Sequence, residues 1–242
     1  MKVAFLSDVH GNAVALEAVL ADIQLKAIDK VVVLGDLAYR GPEPGRAIQL
    51  IRDLHADVVK GNADEWLVRG IVPGEVQDGA LERMNLEREW AIERLVDDDL
   101  AYLRGLPEQI QLHLSPSVFV HAFHATPGSL FDIVAPDASA VDLRSQLTQT
   151  VNADLYMYAH IHHPYVRYVD GKCIANTGSV GLPFDGMAKA SYVIVEAEED
   201  RFTVTIQRVA YDVERVIRLY EVGDYPNRET MKRVVRYGVK PA

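Results

Sequence analysis

The chain opens on an apolar run, "KVAFL", that stops abruptly at Ser7 and Asp8. A short uninterrupted run of this kind is the signature of a strand buried on both faces. From Ala13 to Leu25 the apolar residues recur at helical spacing, and Asn12 stands where a cap belongs, so a helix is predicted there. "KVVVLGD" repeats the strand signal, "PGRAIQLIRDL" the helical one and "ADVVKGN" the strand again. Strand, helix and strand recurring over roughly 30 residues are βαβ units and predict a parallel sheet. From Trp66 to Leu106 the pattern turns mainly helical, clearest in "LEREWAIERLVDDDLAYLRGL", and residues 66–112 are expected to form a mainly helical excursion within the domain. "SVFVHAF" and "DLYMYAHI" return to strand chemistry, and "YVRYVDGKCIA" and "ASYVIVEAEEDRFTVTIQRV" read as hairpins turning at "DG" and "EED". No repeat, low-complexity tract or Pro/Gly/Ser linker divides the chain, so one α/β domain over residues 1–242 is expected, with strands from both ends.

Composition narrows the choice of partners. With 242 residues, 49% hydrophobic and 25% charged, the chain can bury a sizeable core as an ordinary globular domain. Its 35 acidic against 25 basic residues give a formal charge of -10, which argues against non-specific binding to nucleic acid. A phosphorylated small molecule or nucleotide stays open as a partner, because bound divalent cations invert the local field. Cys173 is alone, so no disulfide framework exists, and a reducing, cytoplasmic setting is expected. The first apolar stretch, Val3 to Leu6, falls short of the about 7–15 residues of a signal peptide. No run approaches the roughly 18 apolar residues of a membrane span, so no membrane partner is expected.

The polar residues that end the apolar runs carry the chemistry. In open α/β sheets ligands gather beyond the carboxyl ends of strands. Asp8 and His10 end the first strand, Asp36 the second, Asn62 the third, His121 or His124 the fourth, and His160 and His162 the fifth. Side chains two apart on an extended segment share a side, so Asp8 pairs with His10 and His160 with His162, while His163 faces away to the rim. Each of these alone reads as a helix cap, a turn or a surface histidine, and His55 and His113 keep that reading. Together, at successive strand ends, they read as a metal centre. The mix of imidazole, carboxylate and amide suits Mn, Fe or Zn better than Ca. So many ligands exceed the needs of one tetrahedral ion and suit two ions about 3.5–4 Å apart that share a carboxylate.

With those residues in view the chain resembles the calcineurin-like metallophosphoesterase superfamily, in a bacterial and archaeal branch. The resemblance runs through "DVHGN", "GDLAYRGP", "GNADE", "HATP" and "AHIH" in that order, and "NTGSVGLPFDGMAKASYVIVE" and "RVAYDVE" extend it over most of the chain. It implies a four-layer α/β/β/α sandwich of two mixed sheets flanked by helices, with a dimetal centre on loops at the strand ends. One ion would be held by Asp8, His10 and His162, the other by Asn62, His160 and His124, with Asp36 bridging and His121 the runner-up to His124. The two ions would activate a bridging water for in-line attack on phosphorus. Arg40 and Asn12 are the expected substrate-binding residues, the first as a bidentate phosphate fork, and Asn62 and Asp64 the expected catalytic ones.

Two departures from the family stand out. Ala63 occupies the place, after the Gly-Asn of the third motif, where many members have a histidine that protonates the leaving group, and Ala159 replaces the usual glycine of the fifth. Asp64, Tyr39 or His121 is left to substitute as the acid. General-acid help is worth about 10²–10⁴ in rate, so its loss favours phosphoanhydrides and phosphodiesters with stable leaving groups over alkyl phosphomonoesters. The expected activity is dimetal-dependent hydrolysis of a phosphoric ester or anhydride. The alternative is a catalytically weak scaffold of the same fold that binds other proteins.

Overall fold

Strand β1 (Lys2–Leu6) places Val3 and Phe5 on one face and Ala4 and Leu6 on the other, and all four are fully buried. That is possible only for a strand covered on both sides, and it sets the order of layers. The computed structural model describes residues 1–77 and 79–240. After β1 come α1 (Ala13–Gln24), β2 (Lys30–Val33), α2 (Pro44–Asp53) and the two-residue β3 (Asp57–Val58). The excursion follows as α3 (Asn62–Arg69), α4 (Leu81–Ile92) and α5 (Asp97–Gly105). The second sheet is built from β4 (Gln109–Ser115), β5 (Val118–Phe123), β6 (Leu155–Tyr158), β7 (Tyr165–Val169) and β8 (Lys172–Asn176), with α6 (Ala140–Leu147) between β5 and β6. The hairpin β9 (Ala190–Glu198) and β10 (Arg201–Val209) returns to the first sheet, and α7 (Val213–Val222) and α8 (Arg228–Tyr237) close the domain.

The sheets run β10-β9-β1-β2-β3 and β4-β5-β6-β8-β7. Each is mixed: β1, β2 and β3 are parallel, as are β5, β6 and β8, and the outer pairings are antiparallel. Their inner faces meet in a dry core that includes Val3, Phe5, Val32, Val120, Met157, Cys173 and Val193. The alternate residues Ala4, Leu6, Val33, Tyr192 and Ile194 face the helices that cover the first sheet. Phe123, Tyr156, Tyr158 and Ile174 face α6, through Leu143 and Leu147. The order is helices, sheet, sheet and helix, the four-layer sandwich implied by the resemblance, in a single domain. Among the described residues no helix is long and apolar enough to cross a membrane.

Local chemistry explains most boundaries. Asn12 caps α1 by accepting from the Ala15 amide at 3.1 Å. Asp170 and Gly171 have φ of 49° and 78°, the left-handed pair that a tight hairpin demands of "DG". Three expectations need correction. The helical excursion begins at Asn62 and ends at Gly105, and residues 109–115 are an edge strand. In "QIQLHLS" Ile110, Leu112 and Leu114 point into the inter-sheet core, a period of two that overrides the helical reading. Only Asp57 and Val58 of "ADVVKGN" pair as a strand, because after Val59 N–H donates to Val33 O (2.9 Å) the Lys60 N–H leaves the sheet for Pro107 O (2.7 Å). The pair α7 and α8 was not expected at all, although Val216, Ile217, Tyr220, Val234 and Val235 carry a helical stripe into the core.

Phe5 is the largest side chain that β1 contributes to the inter-sheet core. Phe5→Ala is expected to lower unfolding free energy by about 3–5 kcal/mol in urea titrations. Leu25→Ala, at a residue 86% exposed, is expected to change it by under about 0.5 kcal/mol. Equal effects would contradict this placement of the core.

Candidate metal centre

The loops beyond the strands continue the strand order. Asp8 N–H donates to Gly35 O (3.0 Å) and His10 N–H to Asp36 O (2.9 Å), joining the loops after β1 and β2. Ala159 N–H donates to His124 O (2.8 Å), joining those after β5 and β6. Asp8, His10, Asp36, His160 and His162 all sit in the left-handed region, with φ between 48° and 68°. Asp and His tolerate that conformation better than most residues, but each carries strain of order 1 kcal/mol. The side chains therefore converge through left-handed turns, not through strand alternation as the spacing suggested. At Gly61 a Cβ would lie 2.1 Å from Asp36 Oδ1, so only glycine lets the third loop cross there.

Two clusters result. Ligand atoms of Asp8, His10, Asp36 and His162 lie within 4.8 Å of one another, and so do those of Asp36, His124 and His160. Asp36 belongs to both. In the first, His162 Nε2 is 3.1 Å and His10 Nε2 3.8 Å from Asp8 Oδ1, and His10 Nε2 is 3.5 Å from Asp36 Oδ2. In the second, His124 Nε2 is 3.5 Å from Asp36 Oδ1 and 2.9 Å from Asn62 Oδ1. His121 lies outside both. Its Nε2 meets Gln109 Oε1 at 2.6 Å, and it packs beside Phe123 and Tyr156 in the second sheet's outer layer.

The protonation pattern follows from the partners. Nδ1 of His10, His124 and His162 faces the carbonyl oxygen of Tyr39 (2.8 Å), Leu34 (2.6 Å) and Leu182 (2.5 Å). A carbonyl only accepts, so Nδ1 donates and the neutral ring turns a bare Nε2 lone pair inward. His10 Nε2 and His162 Nε2 then stand 3.2 Å apart with nothing to share. Asp8 Oδ1 is buried without a donor. Bare imidazole nitrogens, an orphaned carboxylate oxygen and a second shared carboxylate are a donor set that fits divalent cations.

Electrostatics agrees. Burial, reinforced by His162, pushes the His10 imidazole down to about 3, and burial with His124 does the same to His160, so both rings are neutral near pH 7. Burial, then the charges of Asp8 and Asp64, raises the Asp36 carboxyl well above its ordinary value. Burial opposes ionisation of Asp8 as well, but His162, His124 and His10 together hold its carboxyl below the usual range.

The remaining expected residues divide. Arg40 lines the cavity over the clusters, with Nε donating to Glu87 Oε2 at 2.9 Å. Asn12 does not: fully buried, it donates from Nδ2 to Gly181 O (3.0 Å) while Oδ1 caps α1, so both ends of its amide are occupied. Asp64 is likewise fully buried, with Oδ2 accepting from Asp36 N–H (2.8 Å) and Gly61 N–H (2.9 Å) and Oδ1 from Leu37 N–H (2.9 Å). That makes it the anchor of the Asp36 loop and leaves it no route to a substrate. His163 reaches the cavity rim, with Nδ1 facing Ile161 O at 2.9 Å.

Several supporting residues were not expected. Ser7 Oγ donates to Asp8 Oδ2 (2.5 Å) and lies 2.6 Å from Thr177 Oγ1, and Ser179 Oγ donates to Asp8 O (2.8 Å). Glu87 on α4, 0% exposed, holds Arg40 and accepts from Asn227 Nδ2 at 2.6 Å. The small polar run "NTGS" after β8 was a readable signal for the first group. A glutamate amid amphipathic charges gave none for Glu87.

A sequence profile of the calcineurin-like phosphoesterase superfamily domain matches residues 1–200. The chain belongs to that superfamily. This calcineurin-like phosphoesterase is 31% identical over 231 positions to the uncharacterized protein MJ0912 of Methanocaldococcus jannaschii, covering 88% of this chain and 89% of that one. A metallophosphoesterase from Sphaerobacter thermophilus is 27% identical with a TM-score of 0.78, covering 99% of both chains. The hypothetical protein PH1004 from Pyrococcus horikoshii shares the fold at a TM-score of 0.86 and 20% identity, covering 100% of this chain and 99% of that one.

In the metal-free phosphoesterase Asp36 holds its proton more tightly than in the unfolded chain. Its contribution to stability is therefore present at low pH and lost as pH rises from the ordinary carboxylate range through the raised value. A divalent cation needs the carboxylate form, whereas His10 and His160 offer it no proton competition above about 3. The rise in melting temperature produced by Mn²⁺, relative to EDTA-treated protein, is expected to grow from about pH 5 to about pH 8. A rise that shrinks with pH would contradict it.

Proposed function

We propose that this phosphoesterase is a dimetal-dependent hydrolase of phosphodiesters or phosphoanhydrides. The observation that carries this reading is the shared carboxylate: Asp36 belongs to both donor clusters, at the floor of a cavity of about 370 Å³. Asp8, His10 and His162 would hold one divalent ion, His124, His160 and Asn62 the other, and Asp36 both. Such a pair, as Mn, Fe or Zn, lowers the pKa of water and neutralises charge on phosphoryl oxygens. The chain supplies the rest. Ser7, Ser179 and Asp64 fix the carboxylates in place, and the backbone carbonyls of Tyr39, Leu34 and Leu182 fix the imidazoles.

Arg40 is the substrate-binding residue. Burial opposes its charge and Glu87 more than offsets it, so the guanidinium stays cationic beside the clusters and orients a phosphate by hydrogen bonding. Ala63 brings no proton donor to the cavity, and the Asp64 carboxylate is taken up by three backbone amides. Substrates whose leaving group is already stable as an anion fit such a site best. A scaffold for other proteins has no use for five left-handed donors packed around unpaired lone pairs.

Metal-stripped protein given Mn²⁺ is expected to hydrolyse an aryl phosphodiester. Asp36→Asn should lower kcat/KM by at least about 100-fold with an unchanged circular dichroism spectrum. Turnover equal to that of the parent would remove Asp36 from the centre. Glu87→Gln should leave metal content intact and raise KM for the diester about tenfold through Arg40, an effect that inhibition by inorganic phosphate should mirror. An unchanged KM would separate Glu87 from substrate binding.

A further inference from the structure

The cavity lining is of two kinds. Part of it is the donor clusters and Arg40, and part is hydrocarbon, from Trp66, Met84, Ile133, Pro136, Leu182 and Phe184. The side-chain donors of the apolar lining are already engaged. Trp66 Nε1–H donates to Glu75 Oε2 (3.0 Å) and the Tyr39 hydroxyl to Met84 O (2.8 Å). The polar groups left over, Arg40, His163 and Lys240, suit phosphoryl oxygens more than neutral hydroxyls. A sugar or polyol laid on the hydrocarbon part would lose water from hydroxyls that find no partner, at about 1–3 kcal/mol each.

The same wall is braced rather than loose. Tyr39 meets the Trp66 ring nearly edge-on (6.1 Å, 81°), Phe131 lies beside it (5.9 Å), and Phe184 stacks on His162 (4.2 Å, 15°). At the cavity, Ile133 is 70% exposed, a large apolar side chain with no cover in the free protein. We propose that the substrate of this site bears, on the phosphoryl oxygen that is not cleaved, an aryl substituent that packs against Trp66, Phe184 and Ile133. The chemical class is thus an aryl-substituted phosphodiester rather than a sugar or polyol phosphate, and this rests on the hydrolase reading above.

Two p-nitrophenyl phosphodiesters that share the leaving group and differ in the other substituent, phenyl against 2,3-dihydroxypropyl, isolate the effect. With Mn²⁺-loaded full-length protein the phenyl ester is expected to show at least about tenfold higher kcat/KM, carried by KM. Ile133→Ser should narrow the ratio, and Leu25→Ser, remote from the cavity, should not. Equal kcat/KM for the two esters, or a preference for the dihydroxypropyl one, overturns the assignment. Binding keeps the two readings separable: phenylphosphonate should raise the melting temperature of the Mn²⁺-loaded protein more than methylphosphonate does. If neither ester turns over and that difference persists, the apolar subsite stands and the hydrolase reading falls. If the two phosphonates stabilise equally, the apolar subsite falls.

Discussion

Crowding of electron-pair donors is the constraint on which the rest of this molecule depends. Two imidazole nitrogens face each other at 3.2 Å, a buried aspartate oxygen has no donor, and a second aspartate is shared between two groups. Left to itself such an arrangement repels. It persists because the surrounding chain holds every member from behind: backbone carbonyls grip three Nδ1 atoms, and the Asp64 carboxylate grips the amides of residues 36, 37 and 61. The sandwich is the frame that makes this possible, since its dry inter-sheet core fixes the ends of β1, β2, β5 and β6 at a common edge.

The division between support and chemistry runs through single motifs. In "GNADE", Gly61 makes room for Asp36, Asn62 faces His124, Ala63 donates its amide to Asp36 at 2.8 Å, and Asp64 anchors the neighbouring loop. Only one side chain of the four reaches toward the clusters. A similar split separates Asn12, a helix cap, from Arg40, whose guanidinium is positioned by a glutamate from the helical excursion. That excursion therefore has a place in the site, through Trp66, Met84 and Glu87, and is more than a lateral covering.

Strand ends were legible because apolar runs stop sharply at polar residues, whereas the choice between His124 and His121 rested on a resemblance of motif. What the spacing of Asp8 with His10 and of His160 with His162 concealed was the backbone: these residues leave the strand and turn left-handed, a state with no hydrophobic signature. Edge strand β4 was hidden by its half-exposed alternation beside a long helical stretch, and α7 and α8 by short stripes at the end of a hairpin. Glu87 was invisible for a deeper reason. Its burial arises from Arg40 and Asn227, far from it along the chain, and no local pattern encodes a long-range ion pair.

The pairing of β1 with β9 has a consequence for biogenesis. Val3 lies opposite Val195, so β1 can complete its pairing only once β9, nearly 200 residues later, has been made. The two histidines nearest Asp8 come from opposite ends of the donor set. That set draws on most of the same stretch of chain, from Asp8 to His162, so it is complete only when both sheets have come together.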